Sequence, residues 1–393
     1  MKTKFQIWSL NIVGVYTDDK HQFVFICVHL PFHLWQKCIS LLGLNSSWRL
    51  GDLAVQTGQF VTKNPPASIR SIGAHCSPPR FISWYIPPVI MIVTKTISDC
   101  RSQRKQLGRL ALVPTMGALH AGHISLIELA KQHADRVAVS IFVNPTQFGP
   151  REDFYKYPRP IEDDLAKCEA AGVEMVFNPP VDEIYPTQSI GLGFRVQDKS
   201  GGVPPESPPA EIHIDMPTLS GVLEGRFRAN HFKGVCQIVA KLFNIVQPDV
   251  ACFGQKDFQQ LRILTAMVEA LNWPIEMIAG PTLRDPDGLA MSSRNRYLSA
   301  AERQRALSIS KGLFAAEEDF KKGVRQANRL VTSIQNLLLD GGAHGRVPML
   351  IDYVAAVDAL SLKSVEFIET PTVLAVAARV GPTRLIDNVV LTP

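Results

Sequence analysis

The stretch Leu110-Ala-Leu-Val-Pro-Thr-Met-Gly-Ala-Leu-His-Ala-Gly-His123 decides how this 393-residue chain is read. Leu110 to Val113 is apolar throughout rather than alternating, as a strand covered on both faces must be. From Ile124 to His133 the apolar residues return at helical spacing. A strand that turns through glycines into a helix is a corner suited to phosphate: the helix N-terminus presents N–H groups and a partial positive charge. Gly117 and Gly122 let backbone approach a ligand where a Cβ would collide.

The same alternation continues outward. Val137 to Val143, Val173 to Phe177 and Val250 to Phe253 read as strands; Glu162 to Ala171, Val235 to Val246 and Phe258 to Leu271 read as helices. Repeated βαβ units imply a parallel sheet with helices on both faces. The fold class is therefore α/β, a Rossmann-like doubly wound sheet spanning residues 91–282. The composition changes after Arg284. Two helices, Ala300 to Phe320 and Gln326 to Leu339, the latter closed by Gly341 and Gly342, precede strands at Ile351–Val357 and Val373–Ala378. They place a second, smaller α/β domain over 283–393. Gln188 to Ala210, rich in Gly and Pro, reads as an exposed insertion.

Four segments carry the chemistry. His120 and His123, three apart at a helix mouth, can both face a bound triphosphate and donate hydrogen bonds to oxygens that gain charge. A helix-capping pair accounts for them equally well, and His-x-x-His lacks a third zinc ligand unless folding brings His231 near. After the second strand, Asn144 and Gln147 are neutral amides suited to hydroxyl or carboxyl groups, although an Asn-Pro turn explains Asn144 by itself. In Phe253-Gly-Gln-Lys-Asp-Phe-Gln-Gln260, Lys256 suits a phosphate and Asp257 a ribose, while a solvated first turn is the plainer account. In Asp287-Gly-Leu-Ala-Met-Ser-Ser-Arg-Asn295, two hydroxyls and a guanidinium suit a phosphate clamp, or simply a polar loop.

Composition narrows the field. The formal net charge of +5 lies wholly in residues 1–90, and the remainder is balanced, which argues against a basic nucleic-acid-binding surface. Seven cysteines without Cys-x-x-Cys spacing argue against a disulfide framework or a structural zinc site. No apolar run reaches the roughly 20 residues of a membrane span. Reduced thiols and a cytoplasmic location are expected. Residues 1–90 match neither a signal peptide nor a helical or strand periodicity. They read as an appendage, disordered or translated from a start codon set too early, with Met91 opening the body of the chain.

Together these stretches resemble the pantothenate synthetase (pantoate–β-alanine ligase) family over roughly 91–393. Pro114 to His123 is similar to that family's version of the His-Ile-Gly-His signature of nucleotidylyltransferases. Ser140 to Phe148, Lys256 to Leu261, Gly288 to Asn295, Leu223-Glu-Gly225 with His231-Phe232, and Arg384-Leu-Ile-Asp-Asn388 match in type and order. The resemblance implies a two-step ligation. Pantoate attacks ATP to give pantoyl adenylate and pyrophosphate, and β-alanine then displaces AMP. It also implies magnesium carried with the triphosphate and a homodimer; the sequence itself presents no all-protein metal site. By the same resemblance Met116, Gly117, Ala118, Leu119, His120, Ala121, Gly122 and His123 hold ATP, with His123 the proton donor. Gly254, Gln255, Lys256 and Asp257 bind nucleotide, and Leu283 lines its site. Met291, Ser292, Ser293 and Arg294 close on the triphosphate. Gln147 and Gln260 hold pantoate, with Asn144 beside them. Gln255 departs from the Glu common in the family.

Overall fold

The computed structural model describes residues 91–149, 152–186, 212–340 and 347–393, and the backbone of 11–17, 23–28, 53–56 and 59–62. The Gln188–Ala210 segment, the glycines at 341 and 342, and most of residues 1–90 lie outside them. The chain divides into two compact units, Met1–Pro88 and Val89–Pro393. In the first, β1 (Asn11–Thr17) pairs antiparallel with β2 (Phe23–Val28), and β3 (Leu53–Gln56) with β4 (Gln59–Thr62). Periodicity does not single out these short strands.

The second unit is built on a six-stranded sheet. Its strands are β5 (Ile92–Thr94), β6 (Leu110–Thr115), β7 (Arg136–Ile141), β8 (Met175–Phe177), β9 (Val250–Gly254) and β10 (Glu276–Gly280). They lie in the order β10-β9-β6-β7-β8-β5 and every pairing is parallel. The helices that connect or flank them are α1 (Ile97–Arg104), α2 (Ala121–Ala130), α3 (Ile161–Ala170), α4 (His231–Val246) and α5 (Phe258–Ala270). Alternation along β6 shows why its sequence is apolar at every step. Leu110 and Leu112 enter one core, while Ala111 and Val113 enter the core on the opposite face. From β6 the chain runs outward through β7 to β8, then returns to place β9 on the other side. A crevice opens at the carboxyl ends of strands where the order reverses this way. The Met116–His123 and Gly254–Asp257 segments leave the adjacent strands β6 and β9 at that end.

Beyond residue 283, α6 (Ala300–Lys321) and α7 (Ala327–Asp340) cover an antiparallel sheet of β11 (Met349–Asp358), β12 (Thr372–Val380) and β13 (Thr383–Leu391). Ser299 and Glu302 form a reciprocal capping box that starts α6. Along β12, Leu374, Val376 and Ala378 pack against the helices, whereas Val373 and Ala375 join the core beneath the parallel sheet. That sheet is thus apolar on both faces, and its second face is what binds it to the first.

Candidate active site

The signature segment is held rigidly and from an unexpected direction. Between β6 and α2 the backbone passes through positive φ at Gly117 (80°) and Ala118 (52°), a conformation costly for a residue with a Cβ. The carboxylate of Asp164, fully buried in the first turn of α3, accepts the N–H groups of Ala118 at 2.7 Å and Leu119 at 2.6 Å. A Cβ on Gly117 would lie 2.9 Å from that carboxylate, so only glycine fits there. Burial pushes the Asp164 carboxyl up, and the two N–H bonds counter it. The backbone donors that the sequence offers to phosphate are therefore largely spent within the protein.

The histidines cap the helix and also face the crevice. The Gly122 N–H donates to His120 Nδ1 at 3.1 Å, and the His120 N–H donates to His123 Nδ1 at 3.3 Å. A backbone N–H can only donate, so both Nδ1 atoms accept and the ring protons sit on Nε2. The rings lie 4.1 Å apart between centroids. Burial, with the Lys256 ammonium as the next cause, pulls His120 down to about 4. Burial, His120 and Lys256 pull His123 down to about 3. Near neutral pH the pair is two uncharged donors whose acceptor nitrogens are already occupied.

One cavity at the mouth of β6, β7 and β9 gathers most of the expected residues: Met116, His120, Gly122, His123, Asn144, Gln147, Gly254, Lys256, Asp257, Gln260, Leu283 and Met291 to Arg294. Gly117, Ala118, Leu119, Ala121 and Gln255 do not line it. Gln255, the departure from the family's Glu, is not among the residues lining the cavity, and its backbone carbonyl accepts from Asn388. Asn144, only 1% exposed, has its amide committed. It donates to Gly234 O at 3.0 Å and Gln147 Oε1 at 3.3 Å, and accepts from Tyr185 and Thr146. Gly234 is obligatory in α4, because a Cβ there would collide with the Thr146 carbonyl. The turn and the polar wall are one construction.

His231 belongs to the frame. Its Nδ1–H donates to Gln147 O at 2.8 Å, and its Nε2 accepts from Arg228, which forms a two-pronged pair with Glu152. Burial and Arg228 lower it to about 4. With both ring nitrogens used, it has no lone pair for a metal. Among the described residues no cluster of three His, Cys, Asp or Glu could hold an ion.

The 287–294 segment closes the cavity as a short hairpin. Met291 N donates to Leu283 O, and Arg284 and Ala290 form an antiparallel bridge. Arg294 is engaged by Asp153, with Nη2–Oδ1 at 3.0 Å. Burial opposes its charge, but the Asp153 bond outweighs burial and raises the guanidinium's pKa. No sequence signal points to Asp153 or Asp164. Each is one acidic residue among many on a polar segment.

A parallel sheet whose crossover crevice carries two imidazole donors and a lysine is the arrangement of a nucleotide-binding α/β enzyme. Comparison with known proteins makes this specific. The pantoate–β-alanine ligase family model matches residues 90–390. The pantothenate synthetase of Thermobifida fusca is 48% identical over 302 residues, covering 77% of this chain and 96% of that protein. Pantothenate synthetase 1 of Bradyrhizobium diazoefficiens is 47% identical, covering 76% and 94%. The crystal structure of pantothenate synthetase from Thermus thermophilus superposes with a TM-score of 0.67 at 36% identity, covering 77% of this chain and all of that one. The Francisella tularensis ligase, complexed with β,γ-ATP and β-alanine, gives 0.57 at 29% identity, covering 76% and 97%. This chain belongs to the pantoate–β-alanine ligase family.

Proposed function

We propose that the chain condenses pantoate with β-alanine to pantothenate through pantoyl adenylate, releasing pyrophosphate and then AMP. The observation that carries the mechanism is the common wall formed by two neutral imidazoles, Lys256, Gln147 and Gln260 around one cavity. In the first step a pantoate carboxylate oxygen forms a bond to the α-phosphorus and the bond to the β-phosphate oxygen breaks. Negative charge grows on the transferring oxygens. Nε2–H of His120 and His123 and the Lys256 ammonium meet it, joined by the Arg294 guanidinium once that group leaves Asp153. In the second step the β-alanine amine attacks the acyl carbon of the mixed anhydride, AMP leaves with the bonding pair, and the amine gives up a proton to water.

His123 enters this chemistry as a hydrogen-bond donor through Nε2–H, because its Nδ1 accepts the His120 N–H; burial, His120 and Lys256 keep the ring uncharged near neutrality. The arriving triphosphate adds negative charge and shifts the ring toward protonation. ATP would enter as its magnesium complex, the metal supplying charge neutralisation on the triphosphate. Gln147 and Gln260 hold pantoate. Residues 283–393 act as a lid domain, with Met291 to Arg294 as its moving edge; Arg294 exchanges Asp153 for phosphate when nucleotide binds. The family resemblance supports a homodimer in the cytoplasm, and no helix among the described residues is long and apolar enough to cross a membrane.

Exchange of labelled pyrophosphate into ATP tests the first step alone. The exchange should require pantoate, should proceed without β-alanine, and should fall by about 100-fold or more in His123→Ala while ATP still binds. Exchange independent of pantoate, or unchanged in that variant, would refute the assignment.

A further inference from the structure

The Arg384-Leu-Ile-Asp-Asn388 motif has no part in the mechanism above, yet it sits where the antiparallel sheet meets the nucleotide crevice. Side chains alternate along a strand, so Arg384, Ile386 and Asn388 share one face of β13. Arg384 anchors one end of that face. It pairs with Glu224 through both terminal nitrogens and with Asp352 at 2.7 Å, and Tyr353 donates to the same Glu224 at 2.8 Å. Four residues along, about 13 Å at strand spacing, Asn388 is 6% exposed. Its Nδ2 donates to the carbonyl of Lys256 at 2.8 Å and of Gln255 at 3.1 Å. Two carbonyls can only accept, so the amide orientation is fixed. Asp387, on the opposite face, takes Arg284 with two bonds of 2.6 and 3.0 Å. It thereby ties the start of the 284–294 hairpin to the same strand.

We propose that Asn388 is a positioning residue for Lys256. The residues Gln255 to Asp257 form a single 3₁₀ turn between β9 and α5. Among the described residues no hydrogen bond or ion pair holds the Lys256 ammonium itself. A long, uncommitted side chain can meet a phosphate reproducibly only if its backbone is fixed. The amide of Asn388 clamps that backbone on both sides of the Lys256 N–Cα bond. The antiparallel sheet thus sets the aim of a cation on the parallel one. This rests on the phosphate role assigned to Lys256 above, and the experiment separates the two.

The test is a double-mutant cycle on the full chain, read as KM for ATP and kcat in pantothenate formation, with thermal unfolding as a check on folding. Asn388→Ala should raise KM for ATP about tenfold, the loss of one or two hydrogen bonds to a placed group, with a change in kcat below about threefold. In a Lys256→Ala background the same substitution should shift KM for ATP less than about twofold. If Asn388→Ala does not fold, Asn388→Ser, which keeps one donor, takes its place and should give an intermediate rise that again vanishes without Lys256. An equal shift in both backgrounds would mean that Asn388 only fastens the two sheets together, and would overturn the proposal. So would a folded variant with unchanged KM. Should Lys256→Ala alone leave KM for ATP unaltered, it is the phosphate role of Lys256 that fails. A weakened Lys256→Ala beside a silent Asn388 variant removes Asn388 alone.

Discussion

The Met116–His123 and Asp287–Arg294 segments line the same cavity, and both read as phosphate binders, but they are built on opposite plans. In the first, a buried carboxylate, two ring nitrogens and a left-handed turn consume the polar atoms that do not face the cavity. What is left over points one way. In the second, the guanidinium proposed for phosphate is itself paired, with Asp153. On the proposed assignment, the first wall needs no rearrangement to meet nucleotide, and the second would exchange Asp153 for phosphate. Pre-organised donors cost no reorganisation during the reaction, whereas a guanidinium proposed to exchange partners would respond to the arrival of substrate.

The contrast breaks most visibly at Asp164. Asp164→Ala leaves two buried N–H groups unpaired under a turn that the carboxylate holds in place. A loss of about 2–5 kcal/mol in unfolding free energy is expected, with pyrophosphate exchange largely abolished. Urea denaturation at neutral pH measures the first effect. A loss below about 0.5 kcal/mol would show that the turn stands unaided.

Acidification separates the two segments next. The unfolded chain has ordinary imidazoles near 6.5, while the folded chain holds His120 at about 4 and His123 at about 3. Between those values the unfolded state binds more protons, so stability rises with pH across the window. It is fully present above about 6.5 and is lost progressively as pH falls toward 4 and then 3. The denaturation midpoint should drop between about pH 7 and 5 and should drop less in His123→Ala. An equal drop in both proteins would mean that other groups carry the acid sensitivity.

The smallest effect is expected at Asp153. Asp153→Ala releases Arg294 from its competitor, so ATP should bind about two- to fivefold more tightly, the equivalent of a partly exposed ion pair of up to about 1 kcal/mol. Calorimetric titration with ATP would show it. Weaker binding would mean that Asp153 holds the hairpin in place more than it withholds the arginine.

The sequence makes some of this legible and conceals the rest for physical reasons. Strands β6, β7 and β9 announce themselves because burial on both faces removes nearly every polar residue from them. The crevice follows from strand–glycine–helix junctions. β10 and β13 escape such a reading. Glu276 is exposed at the edge of its sheet, and Arg384, Asp387 and Asn388 interrupt the apolar pattern of β13 by bonding to Glu224, Arg284 and the Lys256 carbonyl. Asp163 and Asp164 make the same point within one helix. The first pairs with Lys167 at the surface and the second is fully buried; nothing in Ile161-Glu-Asp-Asp distinguishes them. Periodicity reveals where a chain is apolar, not which of two neighbouring carboxylates folding will enclose.

The tautomer lock on the two histidines carries a lesson for inhibitor chemistry. With both Nδ1 atoms occupied by backbone donors, the rings offer hydrogens to a ligand and no lone pairs. A compound that replaces the phosphoanhydride should therefore present acceptor oxygens at that wall, as a sulfamate or sulfonyl group does. An amidine or amine in the same place would oppose two N–H bonds and the Lys256 ammonium together. Selection among such scaffolds can begin from donor count before any fitting of shape.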